Sequence, residues 1–360
     1  MLPLVVALAA VVTPLHLPLR AGFAGDALVA ADFNRDGKAD IAVAGDSGFV
    51  AVFLNDGGGR FRAPKYSPCG EHPVALAVAD ADGDGKVDIV VANHEMQKVT
   101  LLRGDGAGGF TATPLAVQSR PHPHMIAVGD IDSDKRPEII TDSWGEDRLL
   151  ALAGRLQWRG VPASIPVGRK PYYNLVAADL DGDGHIDLVT PNQEFGTVSI
   201  LLGDGRGHFA HAPGSPFAAG ATAFSAAVGD LNGDHRPDIA IANYSGHAGD
   251  TANDGLTWIR NDGHRRFTPF PQRVATGRYT SRLAVGDVNA DGIADVALPN
   301  TATNIVTIIF GSRDGPRATA TVMTMNAPHA VSLADFDGDG RADLAVTGEG
   351  NEVMVVMKVR

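Results

Sequence analysis

The stretch Asp80-Ala81-Asp82-Gly83-Asp84-Gly85-Lys86-Val87-Asp88, running directly into the apolar segment Ile89-Val90-Val91-Ala92, decides how this chain folds. Carboxylates occupy positions one, three, five and nine of a nine-residue loop, and glycine occupies position six. Oxygen donors at alternate positions of a tight loop suit a hard cation such as Ca²⁺, which takes about six to eight of them; a glycine at position six permits the turn that points them inward. Position seven, Lys86, offers its backbone carbonyl whatever its side chain is. An EF-hand would place a glutamate at position twelve between helices, whereas Val91 stands there and both flanks are β-forming. The loop therefore joins two strands.

The same loop starts at Asp32, Asp80, Asp130, Asp179, Asp230, Asp287 and Asp335, at intervals of 48, 50, 49, 51, 57 and 48 residues. A period near 50 with four short strands per unit is the signature of propeller blades. Each unit has an apolar strand ending on the first Asp (Leu76–Ala79), the loop, and a second strand (Ile89–Ala92). A polar loop often opening with Asn follows (Asn93, Asn192, Asn243, Asn300), then a third strand such as Val198–Leu202. Gly-rich hairpins then turn the chain, as in GDGAGGF at 104–110 and GDGRGHF at 203–209, because such turns demand positive φ. The phenylalanine after the turn (Phe61, Phe110, Phe209, Phe267) is expected to plug the packing between sheets.

The last unit stops after its third strand, Val353–Val359, while Thr13–Leu19 precedes the first strand of unit one. The expected architecture is all-β: a seven-bladed propeller of four-stranded antiparallel blades over residues 13–360, closed by pairing Thr13–Leu19 with Val353–Val359, which removes an exposed edge. Residues 1–12 form an apolar leader that reads as a truncated secretory signal without a basic start. A cut well beyond residue 12 would delete the closing strand.

Composition fits this picture. Of 42 acidic residues, 25 lie in the loops, leaving 17 against 30 basic ones, so the formal charge of −12 is concentrated where cations would sit. Five bound Ca²⁺ would cancel 10 of those charges. No basic stripe points to nucleic acid, and no apolar run reaches the ~18–20 residues of a membrane span. Cys69 stands alone and forms no intrachain disulfide. A monomer is expected. Weak calcium sites fill at the millimolar Ca²⁺ found outside cells, which points to a secreted, periplasmic or cell-surface protein.

Seven such units resemble the FG-GAP / VCBS repeat family, whose mark is a DxDxDGxxD loop followed by an apolar strand and a GDGxGxF hairpin. The resemblance covers about residue 13 to 360 and implies a propeller like the integrin α-chain head, with Ca²⁺ in the loops between first and second strands. Carried over, the ligands in blade two are Asp80, Asp82, Asp84, Asp88 and the Lys86 carbonyl. Blade one supplies Asp32, Asn34, Asp36, Lys38 and Asp40; blade four, Asp179, Asp181, Asp183, His185 and Asp187. Blade six supplies Asp287, Asn289, Asp291, Ile293 and Asp295; blade seven, Asp335, Asp337, Asp339, Arg341 and Asp343. Blade five, with His235 at the glycine position, keeps Asp230, Asn232, Asp234 and Asp238 as a weaker site, for five to six Ca²⁺ in all. In blade three Lys135 replaces the glycine and Glu138 the last Asp, and the Lys135 cation is expected to stand in for the metal.

The calcium loops and Gly-rich hairpins should share one face. The opposite face carries His94, Trp144, Gln193, Phe195 and Tyr244, and the blade connections add His72, His122, His124, Tyr172, Tyr173, Phe224, Arg278, Tyr279, Arg282 and His329 around the channel mouth. Aromatics with Arg and His suit sugar or peptide recognition. The blade-five loop Asn243–Gly255 is lengthened on this face. The leading expectation is a non-enzymatic binding or adhesion module for a glycan or protein. A polysaccharide lyase or hydrolase with a His/Tyr/Arg site at the channel is the enzymatic alternative, although no GxSxG or HExxH motif supports it. A structural domain of a larger surface assembly is the third.

Overall fold

A computed structural model describes residues 14–96, 98–116, 123–142, 146–152, 163–168, 170–171, 173–220, 222–244 and 254–359. They form seven antiparallel sheets of four main strands side by side, successive in the chain in six of them, with a short fifth strand Phe217–Ala218 added in blade four, and one 3-10 turn at Gln193–Phe195. Blade one contains Gly25–Ala31, Asp40–Gly45, Phe49–Phe53 and Lys65–Pro68. Blades two to six repeat that order, opening with Pro73–Ala79, Ile126–Gly129, Val176–Ala178, Ala223–Gly229 and Ala284–Gly286. Among the described residues no helix is long and apolar enough to cross a membrane.

The second strands explain how the blades hold together. Asp40–Gly45, Asp88–Asn93, Asp187–Asn192, Asp238–Asn243, Asp295–Asn300 and Asp343–Gly348 are buried at every residue. A strand covered on one face alternates apolar and polar; these are apolar on both faces because a neighbouring blade covers each side. The core is accordingly interfacial: Ala42, Val50 and Phe33 of blade one pack on Ile89, Val91 and Leu102 of blade two. The innermost strands stay half-exposed, as in Leu76–Ala79, because they line the central channel.

Blade seven is built from both ends of the chain. Pro328–Ala334, Asp343–Gly348 and Glu352–Val356 are completed by Leu15–Pro18, with Leu15 opposite Val355 and Leu17 opposite Val353. The expected closure is therefore present, over a shorter span than Thr13–Leu19; Thr13 and residues 1–12 lie outside the described residues. Leu17 and Leu19 are buried between blades seven and one with Phe23, Leu28, Ile41 and Val353. The plugs are confirmed as well, since Phe61 packs edge-on to Phe336 at 5.7 Å and Phe110 to Phe33 at 5.6 Å, each across a blade boundary. Leu17→Ala should cost ~2–4 kcal/mol in urea denaturation, the usual range for a buried leucine; an unchanged midpoint would mean that this strand does not close the ring.

Candidate metal loops and the aromatic face

The acidic loops have one geometry in all seven blades, even where their sequences depart from the repeat. The position-one carboxylate accepts the N–H of position six at 2.7–2.9 Å. The side-chain oxygen at position three accepts the N–H of position five at 2.9–3.2 Å. Position five in turn accepts from position seven at 2.8–3.1 Å. Such a ladder needs left-handed backbone at position six, where Gly37, Gly85, Gly184, Gly292 and Gly340 have φ of 81–85°. Lys135 (67°) and His235 (64°) adopt the same region without being glycine. Position four is left-handed too, including Arg35, Ser133 and Ala290 at 59–62°, a requirement that reading only position six had missed.

Position nine also anchors the loop to the blade. Asp40, Asp88, Asp187, Asp238, Asp295 and Asp343 are fully buried and Glu138 nearly so. One carboxylate oxygen accepts the N–H of position two at 2.8–3.2 Å in every loop. In six blades the other accepts an N–H from the end of the third strand at 2.7–2.9 Å. Burial pushes Asp40, Asp88 and Asp187 up to about 6 and Asp238 and Asp295 up to about 7; the backbone donors pull the other way, and loop carboxylates add to the rise. Position two completes the joint. Its side chain (Phe33, Ala81, Ile131, Leu180, Leu231, Val288, Phe336) is buried. Its carbonyl accepts from the next blade's hairpin, as in Gly108 N–H to Phe33 O (3.3 Å), Gly207 to Ile131 (2.9 Å) and Gly59 to Phe336 (3.0 Å). Loops and hairpins thus occupy one face.

The residues fit a divalent cation. Ligand atoms of Asp80, Asp82 and Asp88 lie within 4.8 Å of one another, as do those of Asp179, Asp181 and Asp187 and of Asp335, Asp337 and Asp339. Asp80 Oδ1 is buried without a hydrogen-bond partner, an uncompensated acceptor of the kind a cation would satisfy. Asp130, Asp132 and Glu138 of blade three converge in the same way, although the sequence reading left them out. The stand-in role expected of Lys135 is corrected here: its side chain is exposed and its contribution is a backbone N–H to Asp130. In blades one, five and six, Asn34, Asn232 and Asn289 offer an amide oxygen at position three. Basic side chains do lean on several loops, including Arg265 on Asp181 (2.6 Å) and Asp183 (2.9 Å), and Lys38 on Asp36 (2.8 Å).

The opposite face gathers most of the predicted aromatics into one arc. Ring centroids run from His94 to His124 (4.6 Å), to Tyr173 (5.7 Å), to Phe224 (4.5 Å), to Tyr244 (5.2 Å) and to Tyr279 (5.8 Å). Tyr173, Phe224, Tyr244 and Tyr279 are half-buried, so their rings are open to a ligand. His124 is held apart from this use: it is 3% exposed, with Nδ1 3.3 Å from Asp142. The connections are tied to the second-to-third loops by repeated backbone bonds, His94 N–H to His72 O (2.9 Å), Tyr244 to Thr222 (3.0 Å) and Thr301 to Tyr279 (3.1 Å). Below them Asn93, Asn192, Asn243 and Asn300 are fully buried and donate to Thr100, Ser199, Thr257 and Thr307 at 2.9–3.0 Å. Arg282 lines the channel; His329 is half-buried nearby, burial holding its ring below the usual range. His72 is exposed, 3.8 Å from Asp46, and Arg278 is exposed. His122, Tyr172, Trp144 and residues 245–253 of the blade-five loop lie outside the described residues.

Because the loop imposes left-handed backbone at position six, Lys135→Gly should raise stability by ~1 kcal/mol, the usual relief for a non-glycine residue there. Denaturation in EDTA would show it without interference from metal; a loss instead of a gain would refute the imposed geometry.

An FG-GAP-like repeat model matches residues 32–91, 80–141 and 179–241, and an FG-GAP repeat model matches 327–352. No curated protein sequence matches significantly. Among solved structures, BBS1N in complex with ARL6DN is similar at TM-score 0.65 and 11% identity, over 96% of this chain and 97% of that one. A streptogramin B lyase aligns at TM-score 0.63 and 14% identity over 95% and 96%. An Agrocybe aegerita lectin with specific recognition of non-reducing terminal N-acetylglucosamine aligns at 0.54 and 19% over 91% and 83%. At these identities the likeness concerns the fold. With seven acidic loops in phase around a seven-bladed ring and the repeat models matching more than half of its length, this chain belongs to the FG-GAP repeat family.

Proposed function

We propose that this chain is an exported, calcium-stabilised propeller that acts as a non-enzymatic binding module for a glycan or protein. The observation that carries the reading is the aromatic arc from Tyr173 to Tyr279 on the face away from the acidic loops. Partly exposed rings on a rigid frame offer large contact area with little side-chain ordering on binding. Of the structures with a similar fold, one is a complex of BBS1N with ARL6DN and another recognises non-reducing terminal N-acetylglucosamine, which supports a binding role.

Calcium has a structural part in this proposal. Each loop brings three or four acidic residues together, and their repulsion rises as they are desolvated. Asp32, Asp36 and Asp40 with Asn34, and the equivalent sets in the other blades, would hold the ion together with the position-seven carbonyl. A cation bound only by the folded state stabilises it by mass action. Millimolar extracellular Ca²⁺ would keep such sites filled, which is the ground for placing the protein outside the cell.

EDTA should lower the melting temperature and added Ca²⁺ should restore it, read by scanning fluorimetry; an identical Tm in both conditions would remove the calcium role. For recognition, a glycan and protein array should give ligands whose affinity falls at least tenfold, about 1.4 kcal/mol, in Tyr244→Ala and Tyr279→Ala. Retained affinity in both variants would place the binding surface elsewhere.

A further inference from the structure

Within the arc, Tyr173 also lines a cavity of about 150 Å³ at the channel. Leu28, Leu76, Met125 and Leu175 are among its lining residues, but the surface it presents is more polar than apolar, and it contains one cation, Arg282. The guanidinium lies deep in the molecule and stays partly exposed through the channel. Nη1 donates to the Asp26 carbonyl at 2.7 Å. A guanidinium has five N–H donors, and among the described residues no carboxylate comes within the 4.0 Å of an ion pair with it. Asp26 acts on the guanidinium from beyond ion-pair distance: burial, then the hydrogen bond and charge of Asp46, push its carboxyl up to about 7, while the Arg282 charge pulls it down. A deeply placed guanidinium that makes no ion-pair contact attracts an anion that enters the channel.

Backbone strain lies on the same path. Tyr173 (φ 66°) and Tyr279 (φ 57°) hold left-handed conformations unusual for bulky residues. The Tyr279 N–H is fixed by the buried Asp254 carboxylate at 2.9 Å. Strain that the surroundings enforce gathers at ligand clamps. The cavity has room for a carboxylate and part of a ring, and the rest of a ligand would lie along the arc.

Resting on the binding-face reading above, we propose that Arg282 and the arc form one site for a uronate-containing oligosaccharide. The sugar carboxylate meets the Arg282 guanidinium, and successive sugar faces stack on Tyr173, Phe224 and Tyr244. A neutral sugar would leave Arg282 without its anion. A peptide carboxylate has no ring face to lay along the arc.

Calorimetry with galacturonate, glucuronate and mannuronate trisaccharides, each also as its methyl ester, tests this on the full chain in Ca²⁺. At least one acid should bind tenfold or more tighter than its ester, and raising the salt should weaken it. Arg282→Gln should lose that preference and Arg282→Lys should keep part of it; the ester comparison on the unaltered protein stands even if Arg282→Gln fails to fold. Equal binding of acid and ester would overturn the carboxylate assignment while leaving the arc as a binding face. Binding by no member of the panel would overturn the inference, and the array with Tyr244→Ala would then judge the binding face separately. A triglutamate peptide that competes equally, with the same dependence on Arg282, would overturn the sugar assignment.

Discussion

A carboxylate buried at the ninth position of each acidic loop is the constraint on which this molecule depends. It receives the position-two N–H of its own loop, in blades two and seven the position-three N–H as well, and in six blades another from the end of the third strand. Removed from water, such a group is tolerable only with its acceptors occupied. Satisfying it fixes where the loop begins, where the second strand starts and where the third strand ends. The four-stranded unit is therefore defined around a charge, and the apolar runs fill in what that charge has positioned.

The second joint is the residue at position two. Its N–H goes to the buried acid, its carbonyl goes to the following blade's hairpin where that hairpin is described, and its side chain fills the boundary between them. Blade geometry and ring geometry meet in one residue per repeat. Phe33 and Phe336 show how the arrangement absorbs variation, each accepting a phenylalanine plug from the neighbouring blade where Ala81 leaves space for other side chains.

The two faces divide the chemistry. Acidic loops, hairpins and their basic neighbours occupy one side and brace the ring. On the other, backbone bonds such as Tyr244 to Thr222 hold the connections against the second-to-third loops, and buried asparagines anchor the strands beneath. A frame of that stiffness keeps half-exposed rings in place without a ligand, so little ordering remains to oppose binding.

The seven loops, the blade count, the closure by the chain ends and the phenylalanine plugs were legible in the residues, because each follows from a local pattern repeated in phase. Lys135 shows the limit of such reading: judged by residue type it broke the site, yet the surrounding backbone holds it where glycine stands elsewhere, and Asp130, Asp132 and Glu138 still converge. The need for left-handed backbone at Arg35, Ser133 and Ala290 was equally hidden, since none of these residues announces it. Which aromatics meet was a tertiary decision as well. Phe224 and Tyr244 meet across paired strands of blade five, but Tyr173 and Tyr279 come from the connections into blades four and six, and only the turning of the blades about the common axis brings them within about 6 Å of that pair and sets Arg282 beside Tyr173. Local pattern determines a repeat because its causes lie within nine residues; a binding face has its causes spread over several blades, and closure of the ring assembles it.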